Sequence, residues 1–327
     1  MSFLGSFFDR TPAFDRFEGH PDGADALRLL AAEDWPGLLV LYDKLTPQSR
    51  MHLVQGLGMV HPLDIPLPSE ADSPGIAAII GGMQVDLAWR ERGYGRGDEV
   101  TEDRFERMYA RLQTAEHLLT SAAGRRGDDP CVQGWLIRCN TGLGGDPERA
   151  ANLAAKLSAN KARCLQAAHH HITYEQAKWF GSQPRMWAAI EQWTDPLPSP
   201  AWLGLIARGH IEDWLWLVAM RDDEREAARH EARMEDPDYF DELNALDDRF
   251  WDLLDAVGPI DPAELRFAHN QFATLFQLVY RLGRARPHVE AVGATPARWP
   301  QCYLASPSPM KGWNDLRRRC GLPLLRN

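Results

Sequence analysis

Residues 101–122 read TEDRFERMYARLQTAEHLLTSA, and this stretch decides the fold. Phe105, Met108, Tyr109, Leu112, Ala115, Leu118, Leu119 and Ala122 recur at steps of three and four, which lays them along one face of a helix. Thr101 stands where an N-cap belongs. Two further stretches carry the same signature. Ser73-Pro74 supplies a cap and a proline at the first helical position, followed by Ile76, Ile79, Ile80, Met83 and Leu87 on one side. Asp261-Pro262 opens another, with Leu265, Ala268, Phe272, Leu275, Phe276, Val279 and Leu282 in line and Gly283 as the expected stop.

Shorter helical patterns begin near Pro130, Asp146, Lys161, Gln183, Pro198 and Glu212. Alternate starts are spaced like two-helix repeats of roughly 34 residues. Strand signals are scarce, because short apolar runs such as Leu38 to Leu41 sit inside helix-period patterns. Helix pairs that cannot bury their own apolar faces stack against neighbours. The expected fold is therefore all-α: a degenerate tetratricopeptide-like αα-hairpin solenoid of about six to eight hairpins with an irregular C-terminal cap.

The domain reading follows composition. Residues 1–20 form a docking segment, since Met1 to Asp15 holds Phe3, Leu4, Phe7 and Phe8 without the basic start or long apolar core of a signal peptide. Residues 21–220 form the array. Residues 221–236 (RDDEREAARHEARMED) read as a solvated helix or linker, with Asp222–Arg225 and Glu226–Arg229 as acid–base pairs three apart. Residues 237–327 form the cap. Its tail from Ala285 is rich in proline and is expected to stay irregular until a short helix near Trp313 to Arg319.

Composition narrows the function classes. The net charge of −10 argues against non-specific nucleic-acid binding and is compatible with a basic protein partner. No 18-residue apolar run exists, so no membrane span is expected. Cys131, Cys139, Cys164, Cys302 and Cys320 are an odd set without C-x-x-C spacing, which fits reduced thiols in a cytoplasmic protein. Twelve tryptophans suit the wide gaps between stacked helices, with each indole N–H finding an acceptor.

Two stretches carry a family resemblance. Trp89 to Ala122 reads WRERGYGRGDEVTEDRFERMYARLQTAEHLLTSA, and His169 to Trp193 ends in KWFGSQPRMWAAIEQW. A W-x-x-R-G loop before a long helix, with a later K-W-x-G-S turn, resembles an uncharacterised bacterial tetratricopeptide-like family, a domain of unknown function. The resemblance covers roughly residues 27–193. It implies an all-helical repeat fold and no established activity.

No G-x-S-x-G, H-E-x-x-H or kinase signature occurs, and no cofactor is indicated. Gly93-Tyr94-Gly95-Arg96-Gly97 lacks the Lys-Ser/Thr of a phosphate loop and reads as an interhelix turn. Gly81-Gly82 inside a helix points to a neighbour that approaches closely. His169-His170-His171 cannot converge on one metal, because successive helical residues point about 100° apart. His171 and Glu175 share a face, with Lys178 as the expected ion-pair partner of Glu175. Lys178 and Trp179 are expected to end one helix, Gly181 to turn, and Ser182 to cap the helix that carries Arg185. On a concave surface Lys178, Trp179 and Arg185 would line a groove. Between Asp236 and Asp255 an apolar stripe leaves Asp241, Asp248, Asp252 and Asp255 on an outer face suited to a cationic partner. The expected role is a protein-binding adaptor, in the manner of an immunity or chaperone-type protein. The alternative is an enzyme or a small-ligand or metal-binding protein with a pocket between helices near His171.

Overall fold

The computed structural model describes residues 13–93, 95, 97–126, 129–195, 199–299 and 308–326. It is all-helical, with no strand among the described residues and with neighbouring helices packed on one another. Two compact units emerge. The first runs from Gly19 to Pro196, and the second joins Met1–Glu18 to Leu197–Asn327.

The first unit contains α1 (Gly23–Ala31), α2 (Trp35–Lys44), α3 (Pro47–Val60), α4 (Pro74–Arg92), α5 (Glu102–Arg126), α6 (Pro130–Gly142), α7 (Pro147–Ala159), α8 (Leu165–Tyr174) and α9 (Gln183–Thr194). The starts of α2, α3, α4, α6, α7 and α9 obey one local rule, whereas α1 and α8 lack a side-chain cap bond. An Asp, Ser or Thr side chain accepts a first-turn amide, and proline occupies a position whose missing N–H costs nothing. Thus Thr46 accepts from Ser49 N at 3.2 Å, Ser73 from Gly75 N at 3.3 Å and Asp129 from Cys131 N at 3.0 Å. Asp146 takes two amides, Glu148 N at 3.0 Å and Arg149 N at 3.1 Å.

α4 is apolar nearly all round and is buried accordingly, between α3, α5 and α6. Gly81 and Gly82 mark the close approaches. A Cβ on Gly81 would lie 2.7 Å from the Leu119 side chain, and one on Gly82 would lie 2.7 Å from both Trp135 and Val54. Any larger residue there would force helices apart, which is why two glycines are kept in mid-helix despite their propensity cost.

The second unit contains α10 (Pro200–Trp214), α11 (Glu224–Met234), α12 (Pro237–Ala256), α13 (Pro262–Leu278), α14 (Leu282–Val292) and α15 (Pro309–Arg319). α13 packs against both α10 and α14, and Gly204 lets α10 come so near that its Cβ would meet Ala268 Cα at 2.7 Å. The core is Phe250, Phe272, Phe276, Val289 and Trp313 with their neighbours. Glu18 belongs to this unit, where its side chain accepts from Arg298 N at 2.9 Å. Residues 1–12, with the phenylalanines of the expected docking segment, lie outside the described residues, as do Tyr94, Arg96 and Cys302.

Several boundaries differ from the sequence reading. The division between units falls at Pro196–Leu197 and not at the charged stretch 221–236, which takes the helical of its two expected forms as α11, with His230 its one buried residue. No helix starts at Glu212. α10 runs through it into a π-helical turn, Leu215–Met220, because Glu212 is buried against Arg208 at 2.7 Å. Gly283 does not stop α13, which ends at Leu278 with Tyr280 in the left-handed region at φ 56°. Gly283 lies inside α14. The start of the expected irregular tail is helical: α14 continues to Val292 through Pro287, since burial of Ala285, His288, Val289 and Val292 outweighs the lost backbone bond, and the expected helix near Trp313 to Arg319 is α15.

Candidate functional site

The residues singled out in the first unit gather where α8 turns back into α9. α8 ends at Tyr174, so Lys178 and Trp179 lie beyond it in a turn and do not end the helix. The turn is closed by backbone bonds from Phe180 N to Tyr174 O at 3.3 Å, Gly181 N to Gln176 O at 3.2 Å and Ser182 N to Glu175 O at 3.1 Å. Gly181 sits so close to the preceding chain that a Cβ would fall 1.9 Å from Glu175 O. Ser182 then caps α9 by accepting from Arg185 N at 3.3 Å.

Inside this turn the polar side chains satisfy one another. The Trp193 indole N–H donates to His171 Nδ1 at 3.1 Å. An indole only donates, so Nδ1 accepts and the imidazole proton sits on Nε2. Nε2 faces Glu175 Oε1 at 3.7 Å, and Arg185 Nη2 reaches Glu175 Oε2 at 2.7 Å. His171 and Glu175 are buried, Lys178 and Trp179 half-buried, and Arg185 exposed. Trp179 meets Trp89 edge-on at 5.2 Å, with the Arg92 guanidinium 5.8 Å above Trp179 and that of Arg138 3.6 Å above Trp89. The structure thus joins His171, Glu175 and Arg185 in one chain of contacts and places Trp179 in a separate aromatic ladder. His171, Glu175 and Arg185 are paired with one another, and Trp179 is packed on Trp89. His169 Nε2 lies 3.3 Å from Thr173 Oγ1, the His169 and His170 ring centres are 5.7 Å apart, and no group of three metal-ligating side chains forms among the described residues.

In the second unit Asp241, Asp248, Asp252 and Asp255 are all exposed along α12. They are not equivalent. Arg284 binds Asp248 from α14, whereas no ion pair engages Asp241, Asp252 or Asp255 among the described residues. Beneath them lies a cluster that sequence reasoning missed. Asp247 is 1% exposed, and its Oδ1 accepts from His288 Nε2 at 2.8 Å while Arg284 Nη1 approaches Oδ2 at 3.1 Å. His288 stacks on Phe272 with ring centres 4.9 Å apart, and its other nitrogen faces His269. Burial, followed by the neighbouring His288, lowers the His269 pKa to about 3, and burial also lowers that of His288. A second buried pair lies nearby in sequence: Tyr239 Oη is hydrogen-bonded to His210 Nδ1 at 2.9 Å, and burial takes His210 down to about 3. The available signal was a histidine at an apolar position of a helical period, next to Ala268 in one case and Val289 in the other.

No family model, curated protein or solved structure matches the chain. The likeness to a tetratricopeptide-like family rests on its two sequence stretches alone.

No helix among the described residues is long and apolar enough to cross a membrane. Several surface arginines pair within the chain: Arg28 with Asp25, Arg149 with Glu116, Arg221 with Glu226, Arg286 with Glu290 and Arg318 with Asp315.

Proposed function

We propose that this chain is a protein-binding scaffold whose partner is a basic protein, in the way an immunity or chaperone-type protein holds its target. The observation that carries this reading is the outer edge of α12, where Asp241, Asp252 and Asp255 are exposed and carry no ion pair among the described residues. Uncompensated like charges along one edge raise the local field, which speeds encounter with a cationic surface and selects against acidic ones. The even starts of α6, α8 and α10 at Pro130, Leu165 and Pro200 support a repeating helical-hairpin scaffold. The closure of the His171 chain by Trp193, Glu175 and Arg185 supports a packing role there.

The test is capture from host lysate with the wild type and with a D241N/D252N/D255N variant, at low and high salt. A basic protein held by the wild type at low salt, and lost both at high salt and with the variant, is the expected result. The same protein held equally by the variant overturns the proposal. Asp248→Asn serves as the comparison and should matter less, since Arg284 already neutralises it.

A further inference from the structure

The first unit contains a cavity of about 530 Å³ bounded by α1, the start of α2, the end of α3 and the loop of residues 61–68. That volume lies within the range of preformed ligand sites. Leu30 and Leu67 form its buried floor, while Leu27 at 43% and Ile65 at 49% exposure stand at its mouth beside Trp35 and Val60. Exposed aliphatic side chains around a concavity cost free energy in water and return it when a partner covers them.

The loop wall is held from behind. Arg90 Nη1 donates to Gly58 O at 2.6 Å and to His61 O at 2.7 Å, Arg111 donates to Leu63 O, and His61 Nε2 contacts Ile65 O at 3.0 Å. Pro62, Pro66 and Pro68 remove backbone freedom from the same wall. A wall fixed before binding saves the ordering cost that a loose loop would pay.

Charge identifies the occupant. Glu33 lines the cavity, and the exposed Asp34 and Asp64 adjoin lining residues in the chain. Arg28, the basic residue of α1, is ion-paired with Asp25 at 3.7 Å, and the Arg90 guanidinium is turned onto carbonyls behind the loop. We infer that this groove is a second docking site, which receives a short apolar segment flanked by Lys or Arg from a protein partner. The inference rests on the reading above for the sign of the partner's charge and uses a different surface.

Three synthetic peptides test it, sharing one Leu- and Phe-containing core flanked by Lys, by Gln or by Glu. Binding to the full chain is followed by NMR of the Leu27 and Ile65 methyls and the Trp35 indole. The Lys-flanked peptide should shift these resonances with at least a tenfold lower Kd than the Glu-flanked one, and L27Q/I65Q should abolish the shifts. Both substituted side chains are exposed, so the fold tolerates them. Equal binding of the Lys- and Glu-flanked peptides, shifts that persist in L27Q/I65Q, or no shift with any peptide overturns the inference. So does a wild-type dimer that L27Q/I65Q converts to a monomer, which would assign the groove to a second copy of this chain. If the groove binds the Lys-flanked peptide while D241N/D252N/D255N still captures the wild-type partner, the α12 proposal falls alone. The reverse pattern removes the groove and leaves α12.

Discussion

Nδ1 of His288 lies 2.8 Å from Nδ1 of His269, deep in the second unit. Because His288 Nε2–H donates to the Asp247 carboxylate, His288 Nδ1 carries the lone pair and His269 Nδ1–H is the donor between the rings. Both rings are neutral in this arrangement. A second proton on His288 would sit on Nδ1 and place two donors face to face.

Acid should therefore unfold the protein through these rings. Their folded pKa values lie below the ordinary 6.5, so the unfolded chain binds more protons as pH falls through that value. The contribution to stability is complete above about pH 6.5 and is lost progressively toward pH 3. Imidazole NMR should show His269 neutral at pH 5 and His288 titrating below the ordinary 6.5, with stability to urea already reduced at pH 5. Rings titrating near pH 6.5 in the folded protein would refute the arrangement.

Adjacent aspartates should differ sharply. Asp247→Asn weakens a buried charge-assisted bond and an ion pair at once, for a loss of about 2–3 kcal/mol in urea unfolding. Asp248→Asn removes only an exposed pair with Arg284, for a loss under about 1 kcal/mol. Equal losses would mean that Asp247 is not the buried partner.

Two glycines give opposite signs. Gly181→Ala should cost about 1–3 kcal/mol, because its Cβ would overlap the Glu175 carbonyl and backbone must move. Gly124→Ala, inside α5 with no atom within 4 Å of the added carbon, should stabilise by about 0.5–1 kcal/mol. Thermal unfolding of the two variants checks both signs, and a neutral Gly181→Ala would contradict the tight turn.

Trp193→Phe should remove the indole bond to His171 Nδ1 and leave a gap beside it, costing about 2–4 kcal/mol. The α12 edge lies in the other unit, so capture of a basic partner should survive wherever the variant stays folded. Loss of partner at full folding would give the His171 cluster a binding role.

Helix identity was legible along most of the chain. α4, α5, α6, α7, α9 and α13 begin within one or two residues of the starts read from Ser73, Thr101, Pro130, Asp146, Gln183 and Asp261. α14 was not legible, because Pro287 argues locally against a helix that long-range burial imposes. Gly283 failed as a stop for a related reason: Tyr280 takes the left-handed turn that a glycine would adopt at lower cost. The candidate site was half legible. His171 with Glu175 follows from spacing on one helix, but Arg185 as their partner depends on how the turn folds back, and spacing alone had favoured Lys178.

By itself the sequence determined the helices, their caps and their apolar faces, because a cap bond or a three-to-four periodicity is settled within a few neighbouring residues. Only the tertiary structure decided which polar groups leave water and what they meet. Asp247 and His288 are separated by 41 positions along the chain. A buried face specifies that something must cover it, while the identity of the group opposite depends on the packing of helices whose mutual register no local pattern encodes.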